Sequence, residues 1–251
     1  MRYEDAYQPD RTLKGKIRRR AVRLFQRRPA RAPGKAMISF AFDDAPVTAA
    51  HAGAEILEAR GMKGVYFIAA GMAGCEGDMG PLTDAEDVKR LAAAGHEIAC
   101  HTYSHLDCGQ ADGAKVTADV DRNQQALEGW GLPTPRTFAY PYGDVSAPAK
   151  RALAPRFSLM RALHHGLIEA GADLNQAPAV GVEGPDGEAT AMAWMRKAAQ
   201  RRAWLILYTH DVAEDPSSWG CTRGALERLA DAAKTMDFEV VTVAEGARRV
   251  G

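Results

Sequence analysis

The chain has 251 residues, 46% hydrophobic and 25% charged, the balance of an ordinary soluble globular protein with one full-sized domain. That composition excludes a disordered, collagen-like or coiled-coil chain, and no run of about 18 apolar residues is present to span a bilayer. Net charge is formally zero, yet eleven of the 32 lysines and arginines fall within residues 11–35, which hold no acid; the remaining 21 cations face 32 acids, net −11.

Within that basic segment Leu13, Ile17, Ala21 and Leu24 recur at spacings of three and four, beside Val22 and Phe25. The pattern predicts a basic amphipathic helix, stopped by Pro29 and Pro33. Such a helix suits contact with an anionic membrane, where each cation near the surface is worth about 1 kcal/mol. A solubilising tail, or a helix packed on the acidic body, has the same composition. Nucleic acid is not expected, since no recognition motif accompanies the charge. No apolar run precedes a small-residue cleavage site, so the expected location is cytoplasmic, peripheral at the inner membrane. None of Cys75, Cys100, Cys108 and Cys221 forms a CxxC pair, and reduced thiols are expected. The expected division is an arm over 1–35 and a body over 36–251.

From residue 36 the pattern alternates. Short apolar runs predict strands over 37–42, 64–69, 97–100, 137–140, 156–160, 179–182, 204–209 and 239–243. Helical stretches separate most of them, over 51–60, 84–94, 116–128, 148–154, 187–200 and 223–234, with Gly61 and Gly95 as stops. Strands that are apolar throughout are covered on both faces, and the intervening helices imply βα units with a parallel sheet. About seven such units in about 215 residues suit a closed or nearly closed β/α barrel better than an open sheet.

In a β/α barrel the working side chains project from the C-terminal strand ends. Those ends carry Asp43-Asp44, then His101-Thr102-Tyr103-Ser104-His105, then Tyr140-Pro141-Tyr142-Gly143-Asp144, then His210-Asp211. The HxxxH spacing sets two imidazoles about one turn apart, close enough for one ion if the segment is coiled. Paired capping or core histidines are the commoner origin of that spacing. Two adjacent carboxylates after an apolar strand repel each other and are costly to desolvate unless a cation or an arginine lies beside them. One carboxylate and two histidines make a three-ligand site with an open position, the catalytic arrangement for Zn²⁺ or a similar ion. The second carboxylate is then free for proton transfer. Cys100 and Cys108 offer a closed four-ligand alternative, but Cys100 adjoins His101 and should point to the opposite face of its strand.

Phe42-Asp43-Asp44 after the first strand, the HxxxH pair, the Pro-Tyr-Gly loop and a late histidine at 210 together resemble one family. It is the carbohydrate esterase family 4 polysaccharide deacetylases, or NodB-homology domain, and the resemblance runs over 37–245. It implies an α/β fold, a distorted (β/α)7-type barrel, and metal-dependent removal of acetyl groups, usually from N-acetylated amino sugars. It further implies Asp44, His101 and His105 as ligands of one divalent ion, most naturally Zn²⁺, with Co²⁺ or Ni²⁺ as alternatives. Asp43 takes the place of the general base and His210 that of the general acid, with the backbone N–H of Tyr142 as oxyanion donor.

Departures from the family pattern are informative. Ala45 and Pro46 follow the aspartates where many relatives carry glycine, and Ala139 stands where an arginine usually braces the base. Arg161, at a strand end, is a candidate replacement, with an ordinary surface arginine as the equal alternative. The aspartate that orients the acid histidine has no evident counterpart; Asp173 is one candidate. Trp219, Tyr142 and Tyr103 lie in loops on the same rim and could stack on sugar faces, although single aromatics usually just pack. His51, His96, His164 and His165 read as structural or surface residues. The expected substrate is an acetylated polysaccharide, an exopolysaccharide of the bacterial holdfast type, or its lipid-linked oligosaccharide precursor. O-deacetylation, deformylation of a lipid-linked sugar, and a catalytically silent NodB-like carbohydrate binder are the alternatives.

Overall fold

The computed structural model describes residues 12–251. The arm forms helix α1 (Leu13–Val22), and seven parallel strands follow in the body. They are β1 (Met37–Asp43), β2 (Val65–Ile68), β3 (Glu97–Cys100), β4 (Thr137–Ala139), β5 (Leu159–Arg161), β6 (Val180–Gly181) and β7 (Trp204–Thr209). Their order is β5-β4-β3-β2-β1-β7-β6, and one parallel bridge from Ala177, just before β6, to Arg161 in β5 closes the ring. A further strand, β8 (Glu239–Val240), pairs with Met37 and Ile38 below the stretch where β2 pairs with Ala41 to Asp43. This is the expected distorted (β/α)7-type barrel, its strands short and uneven.

Period-two alternation divides the core. Met37, Ala41, Val65, Phe67, Ala99, Leu159, Trp204 and Ile206 fill the barrel, while Ile38, Phe40, Phe42, Tyr66, Leu205 and Leu207 pack under the helices. Burial on both faces is why these strands are apolar throughout. The same alternation carries the inward row of β1 up to Asp43 and that of β5 up to Arg161, so two charges cap the barrel's interior.

The covering helices are α2 (Ala54–Glu58, after a π-turn at Ala49–Gly53), α3 (Ala85–Ala93), α4 (Gly113–Gly129), α5 (Ala147–Leu153), α6 (Gly187–Arg201) and α7 (Arg223–Thr235). The side chains of Asp84, Asp112, Ser146 and Thr222 cap the starts of α3, α4, α5 and α7. The strand expected over 239–243 stops at Val240, and helix α8 (Val243–Val250) follows. Thr242 and Glu245 form a capping box there, and Gly246 lets the helix approach Trp204, since a Cβ would lie 2.3 Å from the indole.

The apolar stripe of the arm faces away from the body. Leu13, Ile17 and Leu24 are 74%, 58% and 78% exposed, whereas Gly15 and Val22 are buried. Arg18 anchors α1 by pairing with the buried Asp144 at 2.9 Å and donating to the carbonyl of Gly109. Beyond α1 the arm is stitched in: Ala30 donates to Ala172 and accepts from Gly171, and Leu174 donates to Arg28. Buried Lys150 donates to the carbonyl of Val22, to Asp173 at 2.6 Å and to Gln176. Residues 22–31 are therefore tied to the body through Val22, Arg28, Ala30 and Arg31, although the charge boundary falls at 35. Arg11, the first cation of the basic segment, lies outside the described residues. Among the described residues no helix is long and apolar enough to cross a membrane.

Candidate active site

At the top of β1 the chain turns sharply, with Asp44 at φ 56° and Ala45 at φ 47°. Among the described residues eight non-glycine residues have positive φ, and five of them, Asp44, Ala45, Thr102, His105 and Tyr142, belong to this rim. Each such position costs of order 1–3 kcal/mol and persists where its surroundings over-determine it. The missing glycine at 45 thus leaves a left-handed turn in place.

His101 directly follows β3. Its Nδ1 donates to the carbonyl of Ala139 at 2.8 Å, which leaves Nε2 as the acceptor nitrogen. His105 arrives by a tight loop instead of a helical turn. Asp119 on α4 ties that loop by accepting from the N–H groups of Tyr103 (2.7 Å) and Ser104 (3.0 Å) and from the Ser104 hydroxyl (2.8 Å). The Nε2 atoms of His101 and His105 lie 3.6 and 3.3 Å from Asp44 Oδ1. The three residues are buried and their ligand atoms lie within 4.8 Å of one another. Two imidazole nitrogens and a carboxylate oxygen converging in this way fit a divalent cation. Burial, opposed by Asp44, brings His101 down to about 4, so the ring is neutral at pH 7, the form that ligates. Neither neighbouring cysteine joins the group. Cys100 accepts from Asn123 at 3.2 Å, and Cys108 is buried among Val116, Val120 and Tyr140.

Arg161 is fully buried, with Nη2 2.6 Å from both oxygens of Asp43. Its guanidinium lies 5.1 and 5.2 Å from the rings of Phe67 and Tyr208, and its Nε and Nη1 have no hydrogen-bond partner among the described residues. Arg161 is paired in register with Ala139 across β4 and β5. Arg161 therefore reaches Asp43 from one strand to the side of Ala139, at the same height.

His210 follows β7, its Nδ1 3.3 Å from Glu183 Oε1 and 3.2 Å from the carbonyl of Trp219. Burial disfavours the charged ring, but the hydrogen bond to Glu183 and the carboxylates of Asp43 and Asp44 outweigh it and raise His210 to about 9. Glu183 also accepts from the Tyr208 hydroxyl at 3.3 Å. It escaped the sequence reading, although an acid just past a predicted strand is the signal that exposed Asp43. Asp173 does not face His210. It caps the turn at Leu174–Gln176 and pairs with Lys150.

Asp43, Asp44, His101, His105, Glu183 and His210 all line one cavity of about 430 Å³. Tyr142, Leu163, Tyr208 and Trp219 join them, with Asp78 and Met79 from the short hairpin of Glu76–Gly77 and Gly80–Pro81, which the sequence reading also missed. Tyr142 meets His105 edge-on at 4.5 Å between ring centroids, and Trp219 is 46% exposed. Tyr103 takes another place: Gly71 packs against it and Arg122 covers its ring at 4.2 Å.

The family model described as polysaccharide deacetylase matches residues 30–155, half of the chain, spanning both aspartates, both histidines of the HxxxH pair and Tyr142. The chain belongs to the polysaccharide deacetylase family. Its fold is similar to that of a putative polysaccharide deacetylase from Mycobacterium smegmatis, with TM-score 0.70 and 19% identity over 90% of this chain and 95% of that one. The chitin deacetylase of Colletotrichum lindemuthianum is similar in fold at TM-score 0.60 and 18% identity, over 86% and 89% of the two chains. A probable peptidoglycan-N-acetylglucosamine deacetylase of Arthroderma benhamiae is 25% identical over 216 residues, 84% of this chain and 44% of that protein. The chain spans less than half the length of the curated relatives it matches.

Proposed function

We propose that the chain is a metal-dependent hydrolase that removes acetyl groups from N-acetylated amino sugars of a bacterial exopolysaccharide or its lipid-linked precursor. One observation carries the reading: a buried Asp-His-His donor set shares its cavity with an arginine-braced carboxylate and a glutamate-held imidazolium. A divalent cation, Zn²⁺ foremost with Co²⁺ or Ni²⁺ as alternatives, supplies Lewis acidity toward the acyl carbonyl and toward water when held by Asp44, His101 and His105.

The chain's own residues do the rest. Asp43 takes the proton of the attacking water, and Arg161 holds both its oxygens so that the carboxylate keeps one orientation. The N–H of Tyr142, at the left-handed turn of the Pro-Tyr-Gly loop, donates to the developing oxyanion. His210, kept charged by Glu183, gives its proton to the departing amine. A departing amine needs that proton more than an alkoxide does, which favours amide over ester substrates, and a silent binder has no use for either group. In this reading the activity works at the cytoplasmic face of the inner membrane; the exposed Leu13, Ile17 and Leu24, set among cations in the manner of an interfacial helix, support it.

Acetate release is to be measured on N-acetylglucosamine oligomers, an O-acetylated glycan and a lipid-linked N-acetyl sugar, alongside metal analysis. Purified protein is expected to hold about one divalent ion per chain, lost in His101→Ala. Asp43→Asn is expected to keep the ion and release no acetate. Wild-type protein that takes up no metal, or turnover by Asp43→Asn, overturns the reading.

A further inference from the structure

Three cavities share walls in succession. Leu163 lines both the site cavity and a second one of about 190 Å³ beside α1. Arg23, His164 and Gln176 line both the second and a third of about 380 Å³.

Their chemistry changes along this path. The second cavity is edged by Arg19 and Arg23, and Arg27 joins Arg23 in the third. Two carboxylates also reach these walls, but each already has a cation: Asp144 pairs with Arg18 at 2.9 Å and Asp173 with buried Lys150 at 2.6 Å. The arginines therefore set the sign of the second cavity. His164 agrees with that sign, since burial and then the nearby charge of Arg23 bring it down to about 4. The third cavity gains an apolar wall from Leu24, Leu167 and Pro178, and Leu24 is one of the exposed residues of the arm's outward stripe.

Outward from the ligand set, the order is thus a deacetylation site, a patch of arginine and an apolar trough. Guanidinium groups match the fork of phosphate oxygens. A sugar joined through a diphosphate to a prenyl chain presents sugar, anion and lipid in the same order. A neutral glycan uses only the first segment, and a phosphate headgroup alone only the second. We infer that the trough under the arm holds the diphosphate and first prenyl units of a lipid-diphosphate-linked N-acetylated sugar, whose acetyl group reaches Asp44, His101 and His105. The inference rests on the deacetylase reading and narrows its substrate to the lipid-linked class.

Binding is read separately from turnover. Farnesyl diphosphate is titrated calorimetrically into the full chain, beside inorganic pyrophosphate, farnesol and phosphatidylglycerol vesicles. Farnesyl diphosphate is expected to bind about tenfold or more tighter than pyrophosphate or farnesol. The pair Arg23→Gln and Arg27→Gln is expected to weaken it about tenfold, with the thermal midpoint unchanged. In turnover the same pair raises KM about tenfold for farnesyl-diphosphate-linked N-acetylglucosamine, leaving kcat and the neutral oligomer untouched. The inference is overturned if farnesyl diphosphate binds no better than pyrophosphate, if the pair slows both substrates alike, or if the pair loses only the vesicles. If farnesyl diphosphate binds through Arg23 and Arg27 but no substrate releases acetate, the trough stands and the deacetylase reading falls.

Discussion

His210 shares its Nδ1 between Glu183 and the carbonyl of Trp219, at 3.3 and 3.2 Å, so the charge on the ring depends on neighbours from two other segments. Burial alone would leave it neutral at pH 7; Glu183, with Asp43 and Asp44, raises it to about 9. Glu183 makes the largest upward contribution, through its hydrogen bond to the ring, ahead of Asp43 and Asp44. Because the shift is upward, the acid form is present at neutral pH and is lost as pH rises toward about 9. The pH profile of kcat on an amide substrate is therefore expected to fall on its alkaline side between neutrality and about pH 9. Glu183→Gln should move that fall about one unit or more toward acid. An unmoved limb would assign the proton to another group. Arg161 and Asp43 form a second coupled pair. Arg161→Met leaves a buried carboxylate unpaired, at a cost of about 3–5 kcal/mol in urea unfolding. Adding Asp43→Asn should recover most of that stability and none of the activity, which separates the brace from the chemistry.

Among the elements, α4 does more than cover the sheet. Asp119 projects from it to accept three hydrogen bonds from the loop between His101 and His105, and that loop holds left-handed Thr102 and His105 in place. Asp119→Ala should leave the helix intact and weaken metal binding about 10–100-fold, the range for lost outer-shell partners, as read by chelator competition. Local signals explain what was legible beforehand. β3 and β7 occupy the predicted 97–100 and 204–209 because apolar runs end there in polar residues. Asp43, Asp44, His101 and His210 stand at the ends of such runs. What escaped depends on neighbours distant in the chain. The close approach of Gly246 to Trp204 joins residues 42 apart in the chain, and Glu183 has no role until β6 lies beside β7. The relation between Ala139 and Arg161 is one of strand register, which no run of residues encodes. Tyr103 sits in the HxxxH loop, yet Arg122 on α4 claims its ring.

Across the whole molecule, the charge segregation and the packing of the arm pull in different directions. A helix that docks on a body for stability buries its apolar stripe. Here Gly15, Arg18 and Val22 face inward, and Leu13, Ile17 and Leu24 face out. The orientation is held from below, by Arg18 on Asp144 and by Lys150 donating to the carbonyl of Val22. Such a stripe adds little to folding, because its side chains stay in water in the native state. It adds to partition into an interface, where each Å² of apolar surface removed from water is worth about 25 cal/mol and the surrounding cations act on anionic lipid. Replacing Leu13, Ile17 and Leu24 together by serine should therefore leave the urea midpoint within about 0.5 kcal/mol of the parent. The same triple variant should lose co-sedimentation with phosphatidylglycerol vesicles, while neither protein sediments with purely zwitterionic ones. A triple variant that unfolds early would show the stripe packing on the body. One that still sediments would reduce the membrane contact to the arginines alone, and the two readouts together decide which face of α1 the fold keeps for itself.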